Sequence, residues 1–331
     1  MSSTTPIMML RWIGKALLWL VVLLLILALL GAIYQAIATL RDERAHPPPG
    51  EMVDVGGHKL HINCIGQGSP TVILDGSLGN MSAHWIWVQQ AVAKTTRICA
   101  YDRAGMGWSE SGPEPRDAEQ FSGELHALLE GADIGQAPYV LVGHSYGGLY
   151  ARMYAARYPD EVAGMVLVDS SHPEQYARLP QGRETYERSK QQFAGAPLLA
   201  RLGVIRLFDL NPAPPSLPQQ QRAQVDAFNS STRQVRATTE EFRSTPETTA
   251  QVGRTGSLGD EPLAVVSAGK HLRGWLKLQR ELAALSSDSS HRVVEGATHT
   301  SLVDDRSDAQ ASRTAIIEVV QSVRNDRPLA R

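Results

Sequence analysis

One short segment limits the fold more than any other: Tyr139-Val140-Leu141-Val142, then Gly143-His144-Ser145-Tyr146-Gly147-Gly148, then the helical-looking stretch from Leu149 to Tyr158. A β-branched run enters a glycine-flanked turn and leaves as a helix, so the chain must contain a strand, a sharp turn and a helix in immediate succession. A serine on such a turn has strained backbone angles, and Gly143 and Gly147 let neighbouring backbone pass without Cβ clashes. The turn lifts the Ser145 hydroxyl clear of the sheet edge and sets it at the positive end of a helix, where the Tyr146 amide faces any developing oxyanion. Gly-x-Ser-x-Gly alone recurs by chance, so its meaning depends on what surrounds it.

Apolar runs alternate with helical patterns along most of the chain, which is the signature of an α/β protein. Strands are expected at His58 to Cys64, Thr71 to Leu74, Thr96 to Tyr101, Tyr139 to Val142, Gly164 to Val168, Leu263 to Ser267 and His291 to Val294. With 331 residues, 43% of them hydrophobic and 20% charged, the chain can bury one sizeable core.

Upstream lies Tyr101-Asp102-Arg103-Ala104-Gly105-Met106-Gly107-Trp108-Ser109. Together with Gly143 to Gly148, this stretch resembles the α/β-hydrolase superfamily over roughly Glu51 to Arg324. The resemblance implies a mostly parallel eight-stranded sheet with helices on both faces, an inserted helical cap, and Ser145 as nucleophile. It also implies that Asp102 and Arg103 hold the loop beside the active site.

A serine hydroxyl needs a base, and the base needs an orienting carboxylate. Arg292-Val293-Val294-Glu295-Gly296-Ala297-Thr298-His299 reads as a strand entering a loop, and it resembles the family's loop for the base, which makes His299 the candidate. The commonest position for the acid, after Leu263 to Ser267, holds Ala268-Gly269-Lys270-His271-Leu272-Arg273-Gly274-Trp275 and no carboxylate. Some members of the superfamily carry the acid one strand earlier, where Asp169 stands; its bland alternative is a cap on Ser170 to His172. The loop Asp75-Gly76-Ser77-Leu78-Gly79-Asn80 resembles the family's His-Gly-x oxyanion loop with Asp75 in place of His. The second oxyanion amide is then Ser77, with Leu78 the alternative. Trp85, Trp87 and Trp275 are read as core packing.

From Ala16 to Tyr34 the chain has 19 residues without a charge, ALLWLVVLLLILALLGAIY. At about 1.5 Å per residue this run crosses a hydrocarbon core of about 30 Å. A cleaved signal peptide is the rival reading, with Ala36-Ile37-Ala38 as its cleavage site, but the run exceeds the usual apolar stretch of about 7 to 15 residues. Arg11 and Lys15 precede it, Arg41 and Arg44 follow, and the expected orientation puts the catalytic domain outside the cytoplasm. Residues 1–40 are thus read as the anchor and 41–50 (RDERAHPPPG) as a semi-rigid spacer that holds the domain off the bilayer. The hydrolase core follows as 51–172 and 261–331, interrupted by a helical cap at 173–260 that shapes the substrate pocket. Helical pieces are expected in it at Arg183 to Phe193, Pro197 to Leu210 and Gln219 to Glu241.

Cys64 and Cys99, the two cysteines, fall in strands that are neighbours in the family's sheet. A cross-strand disulfide and two buried free thiols both stay open, and the bond would require an oxidising compartment. No Cys or His spacing suggests a metal, and no cofactor is implied. A net charge of -2 gives no reason to expect nucleic acid. The expectation is acyl transfer on a small, apolar carboxylic ester. The enzymatic alternatives are a proline-iminopeptidase-like peptidase and a lipid acyltransferase, and the non-enzymatic one is a membrane-tethered binding protein with a retired hydrolase fold.

Overall fold

The computed structural model describes residues 5–329. In chain order the strands are β1 Glu51–Asp54, β2 Lys59–Ile65, β3 Val72–Asp75, β4 Ile98–Tyr101, β5 Tyr139–His144, β6 Val162–Val168, β7 Leu263–Ala268 and β8 Ser289–Val294. They form one eight-stranded sheet in the order β1-β2-β4-β3-β5-β6-β7-β8. Only β2 runs against its neighbours, and every other adjacent pair is parallel. All strands but β1 overlap the apolar runs of the sequence. In β1 only Val53 is buried, so there is no pattern to read.

Alternation along the strands builds two cores. Ile73, Leu141, Met165, Leu167 and Val265 point to one face, covered by helices α3 (Ala118–Gly131), α4 (Tyr146–Arg157) and α11 (Trp275–Ala283). Val72, Leu74, Val140, Val142, Val166 and Val266 point to the other, covered by α2 (Ile86–Val92) and α13 (Ala309–Asn325). Register places Cys64 opposite Cys99, and the two are joined by a disulfide.

Between β6 and β7 lie α5 (Gln175–Arg178), α6 (Gly182–Arg201), α7 (Val204–Leu207), α8 (Gln219–Asn229), α9 (Thr232–Arg243) and α10 (Thr245–Gly253). Two sequence expectations change here. Pro197 sits inside α6 instead of dividing it, because Ala196 and Ala200 pack with Ile205 and Val235 through that turn. Conversely, Gln219 to Glu241 is two helices, broken where the Ser231 hydroxyl accepts the Gln234 amide and starts α9.

Helix α1, Thr5–Ala45, contains an 18-residue window of mean hydropathy 3.1 with none of it buried, and it is long enough to cross a membrane. The expected spacer at 41–50 is corrected in its first half, and only 46–50 are irregular. The helix continues to Ala45, where Asp42 pairs with Arg206 at 2.7 Å and Glu43 with Arg233 at 3.8 Å. His46 also accepts the Trp108 indole N–H at 2.7 Å. Arg41, Glu43, Arg44 and Ala45 are good helix formers, and Asp42 and Glu43 are paired, so the helix ends only before Pro47. The cap is fastened to α1 and not held away from it. Here α12 is Ser301–Asp304, the remaining helix.

Candidate active site

Strand β5 ends at His144 and α4 begins at Tyr146, with Ser145 between them at φ 55°, ψ -120°. A non-glycine residue there carries strain of about 1–3 kcal/mol, which the surroundings must over-determine. They do so through backbone bonds: the Ser145 amide donates to Val168 at 3.2 Å, and its carbonyl accepts from Ser171 at 2.9 Å. The glycines are sterically required. A Cβ on Gly143 would lie 2.4 Å from the Gly148 Cα, and one on Gly147 would lie 2.4 Å from the Asp75 carbonyl oxygen.

Asp169 directly follows β6 and is fully buried. Its Oδ2 accepts His299 Nδ1–H at 2.6 Å and lies 3.2 Å from His271 Nε2. Its Oδ1 accepts the Ala268 amide at 3.0 Å and the Trp275 indole N–H at 2.7 Å. Burial alone would raise this carboxyl, but the hydrogen bonds from His271 and His299 hold it well below the usual carboxylate range. An ionised Asp169 fixes the proton of His299 on Nδ1 and leaves Nε2 free to accept one.

His144, inside the nucleophile turn, is pushed down to about 3 by burial and by the neighbouring His299. It is therefore neutral, and its Nε2–H donates to the His299 carbonyl at 2.9 Å, which ties the base loop to the turn. Ser145, Tyr146, Tyr176, Leu179, Trp275 and His299 line one cavity of 330 Å³. A larger cavity of 740 Å³, lined by Pro138, Asp160, Asp288 and Arg327 among others, lies by the amino-terminal ends of β5 and β6. In sheets of this type ligands bind beyond the carboxyl ends of the strands.

The loop after β3 explains why Asp75 replaces the expected His. Arg103 is buried and binds the Asp75 carboxylate, the Gly76 carbonyl at 2.9 Å, the Ser77 carbonyl at 2.8 Å and Glu241 of α9 at 2.9 Å. Tyr101 donates to Asp75 at 2.7 Å, and Tyr150 donates to Glu241 at 2.9 Å. One guanidinium thus clamps the loop that carries Ser77 and links it to the cap. Asp102 is a separate brace: it accepts the Ser82 amide at 2.5 Å, the Trp108 amide at 3.1 Å and His61 Nδ1–H at 2.9 Å. The Tyr146 amide begins α4 beside Ser145, whereas Ser77 does not line the Ser145 cavity.

Three residues of the site were outside the sequence reading. Trp275, read as core, lines the cavity and holds Asp169. His271 stacks on Trp275 with centroids 4.0 Å apart and contacts the same carboxylate. Glu241 is 138 residues from Arg103 in sequence. Only the loop after β7 carried a signal, through its position where a carboxylate was sought.

Two clusters among the described residues bring potential metal ligands together: Asp169 with His271 and His299, and His172 with Glu174 and Glu281. In the first, Asp169 and His299 are already joined by a short hydrogen bond. In the second, the Arg178 guanidinium pairs with both carboxylates.

A family model described as alpha/beta hydrolase fold matches residues 70–305. An uncharacterized protein of Schizosaccharomyces pombe is 28% identical over 298 residues, covering 76% of this chain and 52% of that protein. An uncharacterized vacuolar membrane protein of Saccharomyces cerevisiae is 32% identical over 150 residues, covering 38% of this chain and 23% of its own length. The chain thus spans about a quarter to a half of the length of these relatives. Among solved structures, a thermophilic esterase from Thermogutta terrifontis superposes with TM-score 0.61 at 18% identity, covering 82% of this chain and 98% of that one. The epoxide hydrolase CorEH superposes with TM-score 0.66 at 18% identity, covering 82% and 98%. At such identities the common property is the fold.

Proposed function

The chain belongs to the alpha/beta hydrolase family, and from that premise we propose that it is a serine hydrolase that cleaves carboxylic esters through an acyl-enzyme on Ser145. The observation that carries this reading is that the strained Ser145 shares a cavity with His299, whose Nδ1 lies 2.6 Å from the buried, ionised Asp169.

In this mechanism His299 Nε2 takes the Ser145 proton as the oxygen attacks the ester carbonyl, and Asp169 stabilises the resulting imidazolium. The Tyr146 amide, with that of Ser77, receives the oxyanion. The protonated His299 then gives its proton to the leaving alcohol, and water activated by the same imidazole releases the acid. A serine in the turn favours ester cleavage over the epoxide or haloalkane chemistry named for some fold neighbours, since those reactions need a carboxylate nucleophile there.

The domain division follows the same reading: residues 51–172 and 261–331 supply the reacting groups, and 173–260 cover them. Helix α1 serves as a retained single-pass anchor, because Gln35 and Asp42 on either side of the Ala36-Ile37-Ala38 site both contact the cap. The Cys64–Cys99 bond supports an oxidising, extracytoplasmic compartment for the catalytic domain.

A fluorophosphonate probe followed by p-nitrophenyl esters of increasing chain length tests the reading on the full chain. Labelling and turnover that vanish in Ser145→Ala are expected. A folded wild type that neither labels nor hydrolyses any ester would end it.

A further inference from the structure

We propose that the α6–α7 face of the cap lies in the same leaflet as α1, and that the cavity behind this face takes a bilayer-resident acyl ester toward Ser145. The substrate half of the proposal rests on the serine hydrolase reading; the membrane half does not.

The first observation is where the cap meets α1. A Cβ on Gly31 would fall 2.3 Å from the Leu202 carbonyl oxygen, and one on Gly203 would fall 3.0 Å from Tyr34 Cδ1. Two glycines therefore permit backbone-to-backbone seating of the α6–α7 turn on α1. The cap-facing stripe of α1 is a helical one: Ala28, Gly31, Ala32, Ala38, Thr39 and Asp42 are half-buried and Gln35 is buried, while the large apolar side chains around them are exposed.

Depth follows from this contact. Gly31 lies three residues inside the Tyr34 end of the apolar run, with no charge before Arg41, so the turn of the cap sits about 5 Å within the apolar stretch. Interfacial segments bury their apolar side by about 5–10 Å, the same range. From this contact toward Asp42, along which Gly203 meets Tyr34 and Arg206 reaches Gln35, the cap exposes Leu198 by 62%, Leu207 by 67%, Phe208 by 64% and Leu210 by 57%. Charged groups of both partners meet at the Asp42 end of this contact: Asp42 pairs with Arg206, and Asp209 faces a cleft shared with Asp42 and His46. The turn that carries the patch seats directly on α1, whose large apolar side chains are exposed, and this selects a leaflet as its occupant over a second copy of the chain.

Behind the patch, a cavity of 580 Å³ is lined by Leu78, Phe193, Ala196, Leu199, Ile205 and Leu210 among others. Leu210 belongs both to the exposed patch and to the cavity, and Leu78 follows Ser77 in the proposed oxyanion loop. Helix α6 connects this cavity to the one at Ser145, since Thr185 lines the latter and Phe193 the former. Rings run between them as an apolar track: Tyr176 to Tyr186 at 5.2 Å, Tyr186 to Phe242 at 5.4 Å, and Phe242 to Phe193 at 4.8 Å between centroids.

The full chain in phosphatidylcholine vesicles provides the test. An NBD fluorophore on Phe208→Cys should be quenched by lipids spin-labelled on the acyl chain, and one on Gln310→Cys of α13 should not. Separately, Leu207→Asp combined with Phe208→Asp should lower hydrolysis of a fluorogenic diacylglycerol held in the vesicles at least tenfold. Hydrolysis of dissolved p-nitrophenyl butyrate should stay within twofold. An unquenched probe at 208, or its cross-linking to a second copy instead, overturns the membrane face. An unchanged rate on the vesicle ester, or equal loss on both esters, overturns the route. If the probe is quenched but the wild type hydrolyses neither ester, the serine hydrolase reading fails and the membrane face stands.

Discussion

Replacing Arg103 with Met tests whether a single buried cation assembles the site. Arg103 pairs with both Asp75 and Glu241, which are buried, and burial already pushes both carboxyls above their ordinary range even with Arg103 present. Met fills similar volume but leaves two buried carboxylates without a counter-charge. Breaking a buried pair in this way costs about 3–5 kcal/mol. At roughly 2–4 °C per kcal/mol for a domain of this size, the melting temperature should fall by roughly 6–20 °C. The sign with pH follows from the raised carboxyls. Below the unfolded value of about 4 both states are protonated and the penalty is absent; it grows as pH rises through the folded values. The loss should therefore be larger at pH 8 than at pH 5, and Glu241→Gln added to Arg103→Met should recover part of it at pH 8. Thermal melts followed by near-ultraviolet circular dichroism in mild detergent would measure both. A loss below about 1 kcal/mol, or one identical at the two pH values, would refute the buried-charge argument.

Asp169→Asn should lower kcat by about 10³- to 10⁴-fold with little change in KM, because the amide cannot stabilise the imidazolium; an unaltered kcat sends the search to another carboxylate. His144→Phe removes the donor to the His299 carbonyl and should reduce kcat by about 2- to 10-fold, the range of one neutral hydrogen bond, and steady-state ester kinetics would show whether it does. Asp304 is raised to about 6 by burial and then by Asp305, so its charge opposes folding above the unfolded value. Asp304→Asn should then stabilise the protein at pH 8 by roughly 1–3 kcal/mol, with the gain vanishing near pH 4 and denaturant titrations as the measurement.

What could be read from the sequence was whatever local sterics and alternation dictate. The strand-turn-helix at Ser145 was legible because its glycines have no substitute: Gly143 faces the Gly148 Cα and Gly147 the Asp75 carbonyl oxygen. Asp169 was legible as the carboxylate that ends an apolar strand, and it lies 2.6 Å from His299 Nδ1. The clamp was not, since Arg103 and Glu241 meet only after the cap folds over the sheet. Trp275 looked like core, and by burial it is core, but the indole N–H that reaches Asp169 has no sequence signature. The first half of the spacer was misread for a related reason: helix propensity and two ion pairs to the helices between β6 and β7 outweighed a composition that suggests a linker.

Peptide-level mass spectrometry of the full chain after fluorophosphonate treatment tests the central claim most directly. One adduct is expected, on the peptide that contains Ser145, formed quickly in the folded protein and not formed in protein unfolded beforehand or in Asp169→Asn. A folded chain that carries no adduct at Ser145, or carries it on another serine, would contradict it.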